Sequence, residues 1–307
     1  MAHIELPTLH SCYERRMNWY PEVQRYPTQV RELTDLAAIA DRFDLIMLDV
    51  GGVLFLGEHV MEGAVQTVQQ LRRSSCQVCV VSNDTMHTGA MAAQRYQKSG
   101  FDLSEQEVVT SLDVVLSWLP SVQEPHRYAV MAPASHSRAD HWQGMVNLNE
   151  RQGEIPDSVD RLLFLAAAGW TDAMQETLVS SARGRSFELV IGNPDVGAPW
   201  RTDDQFILYA TPGYFLDNFV TRTEQQAKPL LLGKPGPAPF ELAATRWGVT
   251  DPSRVLMVGD TLHTDIVGAT AMGYQSLLLG CGVYRQQQTS TLITESGISP
   301  SFVAHSL

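Results

Sequence analysis

Residues 45–57 read LIMLDVGGVLFLG, and this stretch decides the fold. Four apolar residues, Leu45 to Leu48, run into Asp49, and Gly51-Gly52 follow at once. A short continuous apolar run closed by glycine is the pattern of a buried parallel strand that ends in a turn. Asp49 is thereby placed at the carboxyl edge of a sheet, which in open α/β sheets is where ligands bind. A carboxylate there is a candidate nucleophile or metal ligand. Gly51 brings no side chain to the same edge.

Working outward, strand and helix patterns alternate. Strand 44–49 is followed by helix 62–73, strand 77–82, helix 87–99, a short strand at Val108–Thr110 and helix 111–119. A second set comes late: PLLL at 229–232, a helix over GKPGPAPFELAATRWG ended by Gly248, strand 254–259, helix 264–272 and strand 275–279. This rhythm predicts an α/β fold, a doubly wound parallel sheet with right-handed crossovers. Between the sets lie further strands (RYAVMA, DRLLFLAA, FELVIGN) and a helix (TDAMQETLVSSARG), which predict an inserted α/β cap domain. The expected division is an N-terminal helical extension at 1–40, a core at 41–119 and 206–307, and a cap at 120–205. The helical pattern of the extension lies in VRELTDLAAIADRF, residues 30–43.

A chain of 307 residues with 44% hydrophobic content buries a sizeable core. Its net charge of −12 argues against nucleic acid or an anionic membrane as partner. No apolar run approaches the roughly 20 residues needed to cross a bilayer, and residues 1–20 lack a signal-peptide pattern, so a cytoplasmic location is expected. Four cysteines in such a chain are expected to be reduced. Cys76 and Cys79 have redox spacing, but Cys79 falls inside a strand and reads as a buried thiol. His136 and His141 have no partners to complete a zinc set and read as surface residues. Trp142, Trp170, Trp200, Tyr209 and Tyr214 are candidates for lining a pocket, although aromatic residues usually serve the core.

The strand ends carry a recurring chemistry. Asp49 closes the first strand, Ser82-Asn83 the second (VVSND), Lys234 lies in LLLGKPG, and Asp260 and Asp265 lie in MVGDTLHTD. Each alone has an ordinary explanation as a cap, a turn former or a solvated lysine. Together they suit phosphate chemistry. A carboxylate attacking a phosphate dianion meets like-charge repulsion, and an acidic chain must neutralise it locally. Mg²⁺, a hard ion taking one or two carboxylates, suits Asp49 and Asp260. Lys234 would add a point charge, Ser82 would donate to phosphate oxygens, and Asp265 would orient Lys234 or metal-bound water.

LDVGGVLFLG, VVSND, GKPGPAPF and VGDTLHTDIVGATAMG resemble the four motifs of the haloacid dehalogenase superfamily of phosphohydrolases. The short gap from Asp49 to Ser82 and the long one from Ser82 to Lys234 resemble class IIA, which carries an α/β cap after the second motif and includes 4-nitrophenylphosphatase-like and sugar-phosphate phosphatases. VVTS at 108–111 and IGNPD at 191–195 fit the same class. The resemblance implies a Mg²⁺-dependent phosphatase of a small phosphorylated metabolite. Asp49 would form an aspartyl-phosphate; Asp49, Asp260 and the main-chain carbonyl of Gly51 would hold the metal, with Asp265 beside them; Ser82 and Lys234 would hold the phosphoryl group, and Asn83 would shape the loop.

The family carries a second aspartate, the general acid/base, where this chain has Gly51. Losing such a group costs about 10²–10⁴-fold in rate and favours substrates with good leaving groups. Glu58, His59 and His263 are the candidates to replace it, each with an ordinary reading as a loop or helix-start residue. The competing expectation is a catalytically weakened phosphate-binding or regulatory protein on the same fold, and a third is a cap that serves a homodimer interface.

Overall fold

The computed structural model describes residues 3–202 and 205–307. Its core is a seven-stranded sheet in the order Arg31–Glu32, Phe302–Ala304, Gln275–Leu279, Val255–Gly259, Leu45–Leu48, Gln77–Ser82, Val108–Thr110. Every pairing in it is parallel. Leu45–Leu48 is central and wholly buried, because side chains alternate between two covered faces. Ile46 and Leu48 join the cluster containing Val68, Leu71, Ala92 and Tyr96, while Leu45 and Met47 join Phe240, Ala243 and Ala269. The chain leaves Leu45–Leu48 toward Gln77–Ser82 on one side, and its late strands build the other side from Val255–Gly259. The point where the order reverses lies beyond Asp49, where a doubly wound sheet opens a crevice.

The cap is a second parallel sheet, ordered Leu230–Leu231, Glu188–Ile191, Arg161–Phe164, Tyr128–Met131, Val146–Asn147. The expected return to the core at residue 206 differs from this arrangement. Phe206–Ala210 forms a hairpin with Gly197–Arg201, the Pro212–Thr223 helix packs on Asp172–Ser181, and Leu230–Leu231 pairs with Val190–Ile191. This is a crossover unit of the cap sheet, so core strand ends resume only with the turn that carries Lys234.

The extension also differs. Residues 30–43 form the edge strand Arg31–Glu32 and a short 3₁₀ segment, Ala37–Arg42, and the N-terminal α-helix is Leu6–Arg15. Pro7 sits in its first turn, where a missing N–H is harmless. That helix straps core to cap. Its Glu14 Oε1 lies 3.0 Å from His263 Nε2, and Arg15 and Arg16 both bind Asp217 on the Pro212–Thr223 helix. The Tyr13 hydroxyl accepts the Val196 N–H at 3.2 Å, and its ring stacks on His263. No helix among the described residues is long and apolar enough to cross a membrane.

Candidate active site

Asp49, Ser82 and Asp260 stand at the carboxyl ends of neighbouring core strands, Lys234 stands in the turn after the cap strand Leu230–Leu231, and a cavity of about 540 Å³ opens beside them, toward the cap. Asp49, Ser82, Asn83 and Asp260 line it, with Thr85, His87 and Arg95 from the second strand's loop and helix, and Trp200 and Tyr209 from the cap hairpin.

The Lys234 ammonium lies 2.6 Å from Asp49 Oδ1 and 2.7 Å from Asp265 Oδ1, with 1% of its side chain exposed. Burial works against its charge, but Asp265 and Asp49 outweigh that penalty and hold its pKa above the ordinary lysine value. Asn83 fixes the turn: its Oδ1 accepts the Lys234 N–H at 2.7 Å, and its Nδ2 donates to the Lys234 carbonyl and to Asp195 Oδ1. Ser111 donates to the same Asn83 oxygen at 3.2 Å. The Ser82 hydroxyl, at the strand end, accepts the Asp84 N–H.

Asp49, Asp260 and Asp265 offer carboxylate oxygens within 4.8 Å of one another. Asp260 is anchored by the Thr261 hydroxyl and the Val283 N–H, and Asp265 by the Thr261 N–H. Burial first, then Asp49 and Asp265, push the Asp260 carboxyl well above the usual range. Burial pushes Asp265 to about 6, against the pull of Lys234. Asp195 is pushed up to about 7, chiefly by burial and then by Asp49 and Asp265. Three close carboxyl groups, Asp49, Asp260 and Asp265, thus share one ammonium, a deficit of positive charge that a divalent ion would fill. The donors are hard oxygens, the kind Mg²⁺ takes. The Gly51 carbonyl accepts no hydrogen bond among the described residues and is free to join them.

The two adjacent glycines answer to different constraints. A Cβ on Gly52, at φ +71°, would fall 2.1 Å from Asp260 Oδ2, so only glycine lets that carboxylate approach. Gly51 has no such requirement. Its Cβ would meet nothing closer than Pro199 at 3.8 Å, an ordinary contact, and its φ lies outside the left-handed region. The space for a side chain at 51 exists and is left empty by the sequence.

Glu58 is exposed at the cavity rim, and His59 is exposed on the adjoining strand, Phe55–Leu56 and His59–Val60 forming a small hairpin. His263 is fully buried between Tyr13 and Glu14, outside the cavity lining. His136 is buried, contrary to its surface reading: its Nε2 contacts the Thr85 carbonyl at 2.8 Å, so it ties cap to core. His141 is exposed. Trp142 and Trp170 are cap core, Tyr214 is half-buried on the Pro212–Thr223 helix, and Trp200 and Tyr209 face the cavity. Cys76 and Cys79 are free and buried. Sequence reasoning passed over Asp84, His87, Arg95 and Asp195.

The sequence model described as haloacid dehalogenase-like hydrolase matches residues 46–140, and a second HAD-hydrolase-like model matches 231–307. The D-glycerol 3-phosphate phosphatase of Mycobacterium tuberculosis is 28% identical over 274 residues, which span 89% of this chain and 72% of that protein. The glycerol-3-phosphate phosphatase of Gallus gallus is 24% identical, spanning 88% of this chain and 91% of its own. Among solved structures, a possible sugar phosphatase from Cytophaga hutchinsonii superposes with a TM-score of 0.74 at 21% identity, covering 90% of this chain and 98% of that one. The Mycobacterium tuberculosis glycerol phosphate phosphatase in complex with magnesium superposes at 0.64 and 23% identity, over 87% and 77% of the two chains. The chain belongs to the haloacid dehalogenase-like hydrolases, and within them to the class IIA phosphatases, which hydrolyse phosphoric monoesters.

Proposed function

We propose that this chain is a Mg²⁺-dependent phosphatase of small phosphorylated metabolites of the glycerol phosphate type, working through an aspartyl-phosphate on Asp49. The observation that carries the reading is the buried ammonium of Lys234 held between Asp49 and Asp265, with Asp260 alongside. Asp49 is the nucleophile, and its free Oδ2 is the attacking atom while Oδ1 stays bound to Lys234. Lys234 also neutralises the incoming phosphoryl oxygens, and Ser82 donates to them. Asn83 holds the Lys234 turn in register, and Asp265 keeps the ammonium aimed. Asp49, Asp260 and the Gly51 carbonyl would hold the metal, which supplies charge neutralisation for phosphoryl transfer. The cavity, walled by Trp200, Tyr209 and Arg95, admits a compact ester and shields it from water.

The test is turnover of glycerol 3-phosphate and 4-nitrophenyl phosphate with Mg²⁺, wild type against Asp49→Asn. Turnover that Asp49→Asn abolishes is expected, with a phosphoryl adduct trapped on Asp49. Wild-type rates no higher than those of Asp49→Asn would instead favour the phosphate-binding protein to which Gly51 points.

A further inference from the structure

Hydrolysis of an alkyl phosphate needs a proton for the leaving oxygen and a base for the attacking water, and residue 51 supplies neither. The titratable side chains lining the cavity, apart from the carboxylates already assigned, are Glu58, Asp84, His87, Arg95, Tyr96, Asp195 and Tyr209. Arginine does not release a proton near neutral pH. Burial raises the Tyr96 phenol far up and the Tyr209 phenol to about 12. Glu58 is exposed and makes no side-chain hydrogen bond among the described residues. Asp195 Oδ1 is engaged by the Asn83 amide, which also holds the Lys234 carbonyl, so Asp195 is tied to the turn that carries Lys234. In-line displacement puts the leaving oxygen on the far side of phosphorus from Asp49.

His87 remains, and it is prepared. Its Nδ1 lies 2.9 Å from Asp84 Oδ2, while Asp84 Oδ1 accepts the backbone N–H groups of Met86 and His87 at 2.7 and 3.2 Å. A carboxylate fixed by two amides therefore orients the ring. It also sets the tautomer, with hydrogen on Nδ1 in the neutral form. The loop is pinned to the cap, since the Thr85 hydroxyl donates to the Leu165 carbonyl and the Thr85 carbonyl meets His136. His87 Nε2 has no protein partner among the described residues, and the ring is 41% exposed in the cavity wall.

We propose that the Asp84–His87 pair is the proton shuttle of this enzyme, in place of the side chain that residue 51 lacks. The proposal rests on the phosphatase reading. In the first step Asp49 Oδ2 bonds to phosphorus, the P–O bond to the alcohol breaks, and the leaving oxygen takes the proton of His87 Nε2. In the second, His87 Nε2 takes a proton from water as its oxygen attacks phosphorus. The P–Oδ2 bond then breaks, inorganic phosphate leaves, and the carboxylate and imidazolium are restored. The charges facing His87 support its protonated start. Asp84 from its own loop raises its pKa through the hydrogen bond, burial and Arg95 from the Gly89–Lys98 helix oppose this less strongly, and burial lowers the pKa of His136 from the cap.

The experiment compares kcat/KM, which reports the first step, for an alkyl and an aryl ester. His87→Gln should lower kcat/KM for glycerol 3-phosphate by about 10²-fold or more and that for 4-nitrophenyl phosphate by no more than about threefold, because a phenolate needs little proton assistance. The alkaline limb of the alkyl-ester pH profile should vanish in His87→Gln and move to lower pH in Asp84→Asn. Adding Gly51→Asp to His87→Gln should restore alkyl-ester turnover, which a merely misfolded variant would not allow. Equal losses on both esters, no loss on either, or the same ester-selective loss in Asp195→Asn would overturn the proposal. Wild-type turnover no greater than that of Asp49→Asn on both esters would overturn the phosphatase reading, and the proposal with it.

Discussion

Lys234→Met removes the one ammonium from a nest of carboxylates, and its consequences follow from the contacts. Asp49 and Asp265 then face each other without the cation that now lies 2.6 and 2.7 Å away. Breaking a buried ion pair by deleting one partner costs about 3–5 kcal/mol. Asp49 keeps 13% of its side chain in contact with water, whereas Asp265 keeps 1%, so the penalty falls mainly on Asp265 and the lower end, about 3 kcal/mol, applies. For a chain of this size that is a fall in Tm of roughly 5 °C in metal-free protein. Mg²⁺ binding to the freed carboxylates should recover much of the loss by mass action. Turnover should fall by about 10²–10³-fold even with Mg²⁺, because the phosphoryl oxygens lose their point charge. Calorimetry of Lys234→Met, Asp265→Asn and the double variant isolates the pair, and a coupling above about 1 kcal/mol is expected. Effects that add to within about 0.5 kcal/mol would refute the counter-ion argument, since independent sites behave that way.

Two further outcomes test the carboxylate cluster. A Cβ on Gly282 would fall 2.0 Å from Asp260 Oδ2, so Gly282→Ala should displace that carboxylate and cost about 10²-fold in Mg²⁺-dependent turnover, whereas Gly51→Ala, with ordinary contacts, should leave Tm unchanged. Burial and its acidic neighbours raise the folded pKa of Asp260 above its unfolded value, so its contribution to stability is complete at low pH and is lost as pH rises through the folded value. Asp260→Asn should therefore raise the Tm of metal-free protein at pH 8 but not at pH 4, and abolish the Tm gain produced by Mg²⁺. The same Tm difference at both pH values would show that Asp260 does not carry this penalty.

The strand ends were legible because each is a short apolar run stopped by a polar residue or glycine, and packing on both faces of a sheet demands that pattern. Leu230-Leu231 illustrates the limit. Two residues state that a strand exists but not which sheet it joins, and here the crossover helix before it decided for the cap. The helical pattern at 30–43 was overridden by pairing, since Arg31 and Glu32 extend the core sheet beside Phe302 and Val303. His136 read as a surface residue because its partner, the Thr85 carbonyl, lies 51 residues away across the cleft. Asp84 and His87 went unnoticed for the opposite reason. At a spacing of three before a helix they look like turn chemistry, and only the cavity wall on which they fall gives the pair a second use.

The strap made by Leu6–Arg15 constrains how a molecule enters and leaves. Swinging the cap away as a rigid body would separate Arg16 from Asp217 or Glu14 from His263, and would bare Leu9, Cys12 and Tyr13 to water. Exchange with solvent is therefore cheapest through small movements of the two hairpins at the rim, where Trp200 lies against Gly57. Phosphorylated side chains on folded proteins are therefore expected to turn over more slowly than compact esters, which a phosphopeptide and a phosphoprotein assayed beside glycerol 3-phosphate would check. The front of the chain thereby holds cap and core together over the site, although none of its described residues lines the cavity.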